Sequence, residues 1–477
     1  MSIVTIVGTS GTAIHVTVGG GRAQALAETY AQQMNDAYKQ NQLTTVLLSE
    51  GNAVASAGTG SLLEGFVTTG GSFAPVGSFD FIGAGSWLNS HAGSQSVLLD
   101  EAVTINGAGL SSSDTLSILG GSTIGLTYEA GSAPKGSFLG VSGDNFFNGN
   151  NQSASWTIVT AAGNDTIMAT NGTNDINAGA GNNVITLGQG INSVVSEGQD
   201  TITGEEGGVT ELTLSGGNSL VSLGSNSHVS DNATIGSIIS LGNDSTVQAG
   251  QGSTIHFTGA NGTVMNASND TVSAVGDLTV LHGSDQTLSV GGALKFIAGT
   301  GNSVITADQS TLWGADGLSA RLSIGDNALW TGNQTGAQSN EMIDASSSAG
   351  SLEAWTGAGD QTIIGGQGAD HFVFGTEYSG NSGATYATVT GGSGAANSFG
   401  VLAGHTAGDI TITDFSAVNG NKFFLYNYKP SDAEAAIKDL LATATVQGGN
   451  TSVMLDNNMK VTFTGVTDLK ASSFEIS

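Results

Sequence analysis

The 477-residue chain has no cysteine, three prolines, and only ten lysine or arginine side chains. Without cysteine there is no disulfide framework, so a fold working outside a reducing compartment must be held by strand stacking or by metal. The 74 glycines come without proline and without a Gly-X-Y period, which excludes a collagen-like chain. Charged residues make up 10%, against about 25% in an ordinary soluble domain. Surface polarity must therefore come from Asn, Ser, Thr and Gly. With 39 acidic residues the net charge is -29, and no basic residue lies between Lys135 and Lys295. Such a chain repels nucleic acid and anionic membranes, which removes both as partners and leaves cations as its natural counterions. No apolar run reaches membrane-spanning length, so no membrane insertion is expected. Met1–Val7 has neither the basic start nor the apolar stretch of a secretory leader. The chain is expected to be cytoplasmic or to be exported by a route that reads another signal.

Ordinary catalytic motifs are also missing. There is no His-Glu-x-x-His, no Gly-x-Ser-x-Gly elbow and no phosphate-loop lysine. His228, His256 and His282 read as surface histidines in turns. The best enzyme case is a polysaccharide hydrolase or lyase. Asp308 and Asp326 would lie on neighbouring coils at about the 5 Å strand spacing, with Trp313 and Trp330 as a sugar-stacking ladder. A glycosidase needs two such carboxylates. The alternative, turn acids and packed indoles, is favoured, and the chain is expected not to be an enzyme.

What the chain does have is a beat. Gly163, Gly172, Gly181, Gly190 and Gly198 open five similar phrases, from Gly163-Asn-Asp-Thr-Ile167 to Gly198-Gln-Asp-Thr-Ile202. Glycine turns, Asn or Asp follows two later, and a β-branched residue comes two after that. Self-similarity at a fixed short period is the mark of a solenoid. Two phrases make one coil of about 18 residues, stacked at about 4.8 Å. The expected fold is mainly β: a parallel β-solenoid with a mixed α/β N-terminal cap containing one helix, and a β-rich C-terminal cap.

Three regions follow. Residues 1–150 form the N-terminal mixed cap or assembly region. Arg22 to Gln42 is the clearest helix, with Ala23, Leu26, Tyr30, Met34 and Ala37 on one side. Residues 151–375 are the repeat region. Residues 376–477 hold a helix from Ser431 to Ala442, with Ser431 as its cap, and two terminal strands. The strand Ser2–Val7 is apolar and uncharged. Ile3, Val4, Ile6 and Val7 are self-assembly candidates that could extend another copy's sheet edge, or pair within their own domain.

Gly365-Gly-Gln-Gly-Ala-Asp-His-Phe-Val373 resembles the calcium-binding nonapeptide of RTX proteins at every defined position. The following segments, Asp370–Phe374, Gly408–Phe415 and Gly420–Leu425, are similar to those that close RTX rolls, and Val461–Ser477 is similar to C-termini read by type I exporters. The resemblance implies a β-roll with calcium in its turns and export from a Gram-negative cell through type I machinery. It places calcium near Asp360 and Asp370, with Gly366 and Gly368 in the turn, and at Asp165 and Asp200. The sequence departs from the family at the acidic position: the opening phrases carry Asp165, Asn174, Asn183, Asn192 and Asp200. Asn retains an oxygen but loses the charge that calcium favours, and it can ladder with Asn on the next coil. Calcium is therefore expected at few sites. The expected function is that of a secreted structural protein of a biofilm matrix, surface layer or filament. Its expected partners are further copies of itself or extracellular glycan.

Overall fold

The computed structural model describes the chain except residues 1, 8–12, 19–20, 52, 86, 89–98, 112–114, 121–122, 133–134, 151–152, 332–338, 376–382, 405–406 and 417–419. For residues 2–7, 13–18, 87–88, 326–327 and 329–331 it describes the backbone alone. The described residues form a parallel β-solenoid of about 17 turns with two helices. They divide into two compact units, Met1–Ser245 and Thr246–Ser477. The division falls inside the stretch read above as one repeat region.

In the first unit, parallel coiling begins at Leu43–Leu47, which pairs with Leu62–Val67, well ahead of the regular repeat. Once the glycine beat starts, the register confirms the coil length. Asn174 pairs with Asn192, and Thr166 with Val184, each one coil onward. Alternate residues point inward, so Ile167, Ile176, Ile185, Val194 and Ile202 are fully buried in a narrow core. Glycine is required because successive turns touch. A Cβ on Gly181 would lie 1.8 Å from the Gly163 carbonyl oxygen, and one on Gly190 1.8 Å from that of Gly172. No side chain fits there.

The first helix, α1 (Arg22–Lys39), stops earlier than the spacing suggested, where Asn41 turns left-handed. It does not close the end of the coil stack. Ala27, Tyr30, Ala31 and Met34 pack on Leu43, Phe66, Leu119, Leu139 and Val159 from successive coils. Leu47, Phe66, Gly83, Leu119, Leu139, Val159 and Asn177 follow one another in register. Six such steps at about 4.8 Å make about 29 Å, and eighteen residues at about 1.5 Å make about 27 Å. The helix thus runs along the side of the stack and covers an apolar outer face. Arg22 ties its start to Asp175.

The second unit repeats the architecture with shorter and then longer coils. Leu278 pairs with Leu294, whereas Gly359 pairs with Thr385 and His371 with Ser398. The extended run Thr287–Thr331 makes several successive passes, since both Thr271 and Leu278 find partners within it. Phenyl rings fill the C-terminal coils: Phe372 stacks on Phe399, and Phe415, Phe423, Phe463 and Phe474 meet edge to face. The second helix, α2 (Ala433–Ala442), is capped by Asp432 rather than Ser431. The Asp432 carboxylate accepts the Ala435 N–H at 3.0 Å, and its charge suits the positive helix start.

Candidate functional site

The Asn and Asp of the repeat point inward. In the first unit the Asn145 N–H donates to Asp165 Oδ1 at 2.7 Å, and the Asp165 N–H to Asn183 Oδ1 at 2.9 Å. The Asn183 N–H donates to Asp200 Oδ1 at 2.8 Å, and the Asp200 N–H to Ser219 Oγ at 3.2 Å. Each rung thus gives a main-chain proton to the side chain one coil onward. All are at most 2% exposed. A second column joins the Asn174 amide to Asn192 Oδ1 at 2.9 Å. The amide groups also close their own turns, Asn174 Nδ2 donating to Gly172 O and Asn192 Nδ2 to Gly190 O, both at 3.2 Å.

The second unit builds the same ladder. The Leu352 N–H donates to Asp370 Oδ1 at 2.7 Å, the Asp370 N–H to Asn397 Oδ1 at 2.8 Å, and the Asn397 N–H to Asn421 Oδ1 at 2.7 Å. Gly366 adds its N–H to Asp370 Oδ2 at 2.9 Å. Gly368 donates to the Gly350 carbonyl.

These carboxylates therefore hold coils together. Burial raises the Asp165 and Asp200 carboxyls above the usual range, against the hydrogen bonds they accept. Asp370 is pushed up to about 6 by burial, with the nearby Asp414 charge adding to the effect. Calcium takes about six to eight oxygens and favours charged ones. Here N–H donors point at Oδ1 of Asp165, Asp200 and Asp370, while Asp165 Oδ2 is buried with no hydrogen-bond partner. Among the described residues, no three Asp, Glu or His gather where an ion could sit. Asp360 faces outward from the strand Gly359–Ile364, exposed, between Asn340 and Tyr386.

Other expected sites are dispersed. Strand β1 (Ser2–Val7) pairs antiparallel with β2 (Ala13–Val18), matching Ile3 with Thr17, Val4 with Val16, Ile6 with Ile14 and Val7 with Ala13. It occupies the edge of a three-stranded sheet with Trp87–Leu88. Asp308 is exposed, and a Cβ on Gly325 would lie 3.5 Å from its Oδ1. Trp313 is half-buried. The side chains of Asp326 and Trp330 lie outside the described residues.

Two features had no sequence signal. Glu64 is fully buried on Leu62–Val67. Its Oε2 accepts the Thr45 hydroxyl at 3.1 Å, and its Oε1 has no partner. Burial pushes its carboxyl up to about 8. The second feature is a sorting of charge by face in the first unit. One outer face presents Thr166 and Met168, Val184 and Thr186, Thr201 and Thr203, Leu220 and Ser222, then Ile238 and Ser240, in register over five coils. None is charged. Another outer column carries Asp175, Ser193, Glu211 and His228. A regular alternation shows which residues face out, but only the register shows which of them share a face.

Among the described residues, no helix is long and apolar enough to cross a membrane. Compared with known proteins, the chain matches no family model, no curated protein and no solved structure.

Proposed function

We propose that this chain is an extracellular structural protein, a matrix, surface-layer or filament subunit that associates with further copies of itself. The observation that carries the reading is the uncharged face of the first unit. In a chain of net charge -29, two copies meet at least electrostatic cost where neither bears charge. Val184, Leu220 and Ile238 are each about half exposed there, and β-branched and hydroxyl side chains make that face a flat contact surface. The buried ladders supply the rigidity that a scaffold needs. Export by a type I route rests on the RTX-like nonapeptide and the C-terminal segment. The scaffold role needs no calcium in this reading.

The test is sedimentation and electron microscopy of the purified chain beside the double substitution Val184→Lys with Leu220→Lys. Wild-type chains should form assemblies that the lysines disperse. A monomer at all concentrations, or assemblies indifferent to the lysines, would sink the proposal. Export is tested separately, by deleting 461–477 and following the protein in medium and cells. Equal amounts in the medium would remove the export claim.

A further inference from the structure

The second unit carries a cluster of chemically active side chains that no repeat phrase announces. Glu353 lies in register with His371 on the next coil. Trp355, two residues along, donates its indole N–H to Glu353 Oε1 at 2.8 Å. His371 Nδ1 faces the same oxygen at 3.9 Å. On its other side, His371 Nε2 meets the Tyr426 hydroxyl at 2.7 Å. Tyr426 reaches across an intervening coil, and Gly400 makes that possible: a Cβ there would lie 2.4 Å from the Tyr426 ring. Phe424 stacks on Tyr426 with ring centres 5.3 Å apart. Trp355 and Tyr426 both stand edge to face against His371.

Beside this array lies a groove of about 410 Å³, whose lining includes Gln309, Thr311, Ser351, Glu353 and His371. That volume falls in the range of about 300–1,000 Å³ typical of small-molecule sites. We propose that this groove binds a neutral saccharide chain, hydrogen-bonded by Glu353, Gln309 and Thr311.

The chemistry selects the ligand class. A carboxylate accepts from hydroxyls, an amide both donates and accepts, and hydroxyls do either. The Trp355 indole N–H holds Glu353 Oε1 from beside the groove, so it orients the carboxylate and reports on what the carboxylate meets. Among the described residues that line it the groove has no lysine or arginine, and it sits on a strongly acidic chain, which disfavours anionic polymers. Burial lowers the His371 basicity, and the Tyr426 hydroxyl holds its Nε2, so the imidazole adds no charge to the groove. Among the described lining residues Glu353 is the one carboxylate, whereas hydrolysis by the usual route needs two.

This inference is independent of the scaffold reading, since a monomer would keep the groove. The experiment is an NMR titration of the full chain, at concentrations where it is monomeric, with soluble pentasaccharides of β-1,4-glucose, α-1,4-glucose and β-1,4-mannose. The Trp355 indole N–H is the reporter, assigned through Trp355→Phe. A saturable shift with at least one sugar is expected. Glu353→Gln, an exposed position, should weaken binding about tenfold, and Gln309→Ala should weaken it independently. No saturable shift with any of the three overturns the proposal. Equal affinity in Glu353→Gln overturns the placement. Saturable binding of oligolysine with no sugar response overturns the ligand class. Sugar binding by a chain that never assembles would sink the scaffold reading alone.

Discussion

The backbone N–H and the side-chain amide of Asn183 converge on one oxygen of Asp200, at 2.8 and 2.9 Å, from one coil to the next. The other Asp200 oxygen accepts the Ser196 hydroxyl at 2.5 Å. A buried carboxylate here works as a structural acceptor. The same geometry explains why Asn alternates with Asp in the repeat. Both supply the acceptor, and Asn additionally donates to its own turn without a buried charge to desolvate.

Asp200→Asn should therefore preserve the ladder. Its melting temperature should equal or exceed that of the wild type at pH 7, and the difference should narrow as pH falls. Asp200→Leu strands the Asn183 donors and should cost about 2–4 kcal/mol. Thermal unfolding of both variants checks the pair. Loss of stability in Asp200→Asn as large as in Asp200→Leu would mean that the charge itself is needed.

Stability should fall as pH rises. Glu64 at about 8 and Asp370 at about 6 both stand above their unfolded values of 4.5 and 3.8. The folded state thus binds protons that the unfolded state has released. The stabilisation from Glu64 is complete below pH 4.5 and is lost progressively up to about pH 8; that from Asp370 is lost between 3.8 and about 6. At about 1.4 kcal/mol per pH unit, Glu64 alone removes roughly 3 kcal/mol by pH 7. Glu64→Gln should flatten the profile between pH 5 and 8. A profile unchanged by that substitution would refute the assignment.

Gly181→Ala should be severely destabilising, by about 3 kcal/mol or more, because its Cβ would strike a neighbouring backbone carbonyl that cannot move aside. Gly58→Ala is the control, since a Cβ there meets only the Ser61 hydroxyl at 3.9 Å. Comparable denaturation midpoints for the two would contradict close stacking at the nine-residue beat.

A chelator should leave the melting temperature unchanged. The Asp165, Asp200 and Asp370 carboxylates are engaged by main-chain donors of the neighbouring coil. A drop of several degrees on chelation, restored by calcium, would show that an ion holds the coils and that the ladder is incomplete without it.

Legibility varied with distance along the chain. The glycine beat, the helix at Arg22 and the alternation of buried Ile and Val were readable because each rests on contacts within one turn or one coil. The caps were readable only in part: Asp432 beside Ser431 needed the actual turn geometry. Glu64 offered no pattern, because a single acid in an apolar strand reads the same whether it faces water or a covering helix. The Glu353–His371–Tyr426 array was invisible for a different reason. Its residues meet across coils of unequal length, so no fixed spacing links them.

By itself, then, the sequence determined that the backbone coils and where glycine must stand, since stacked turns leave no room for a Cβ and a period of nine residues repeats that demand. The tertiary structure decided what the polar positions do. Only the register between coils sets Asn183 on Asp200, lays α1 along the stack rather than across its end, and gathers uncharged residues on one face. Those outcomes depend on which residues become neighbours about 4.8 Å apart across the stack, and neighbours of that kind are remote in sequence.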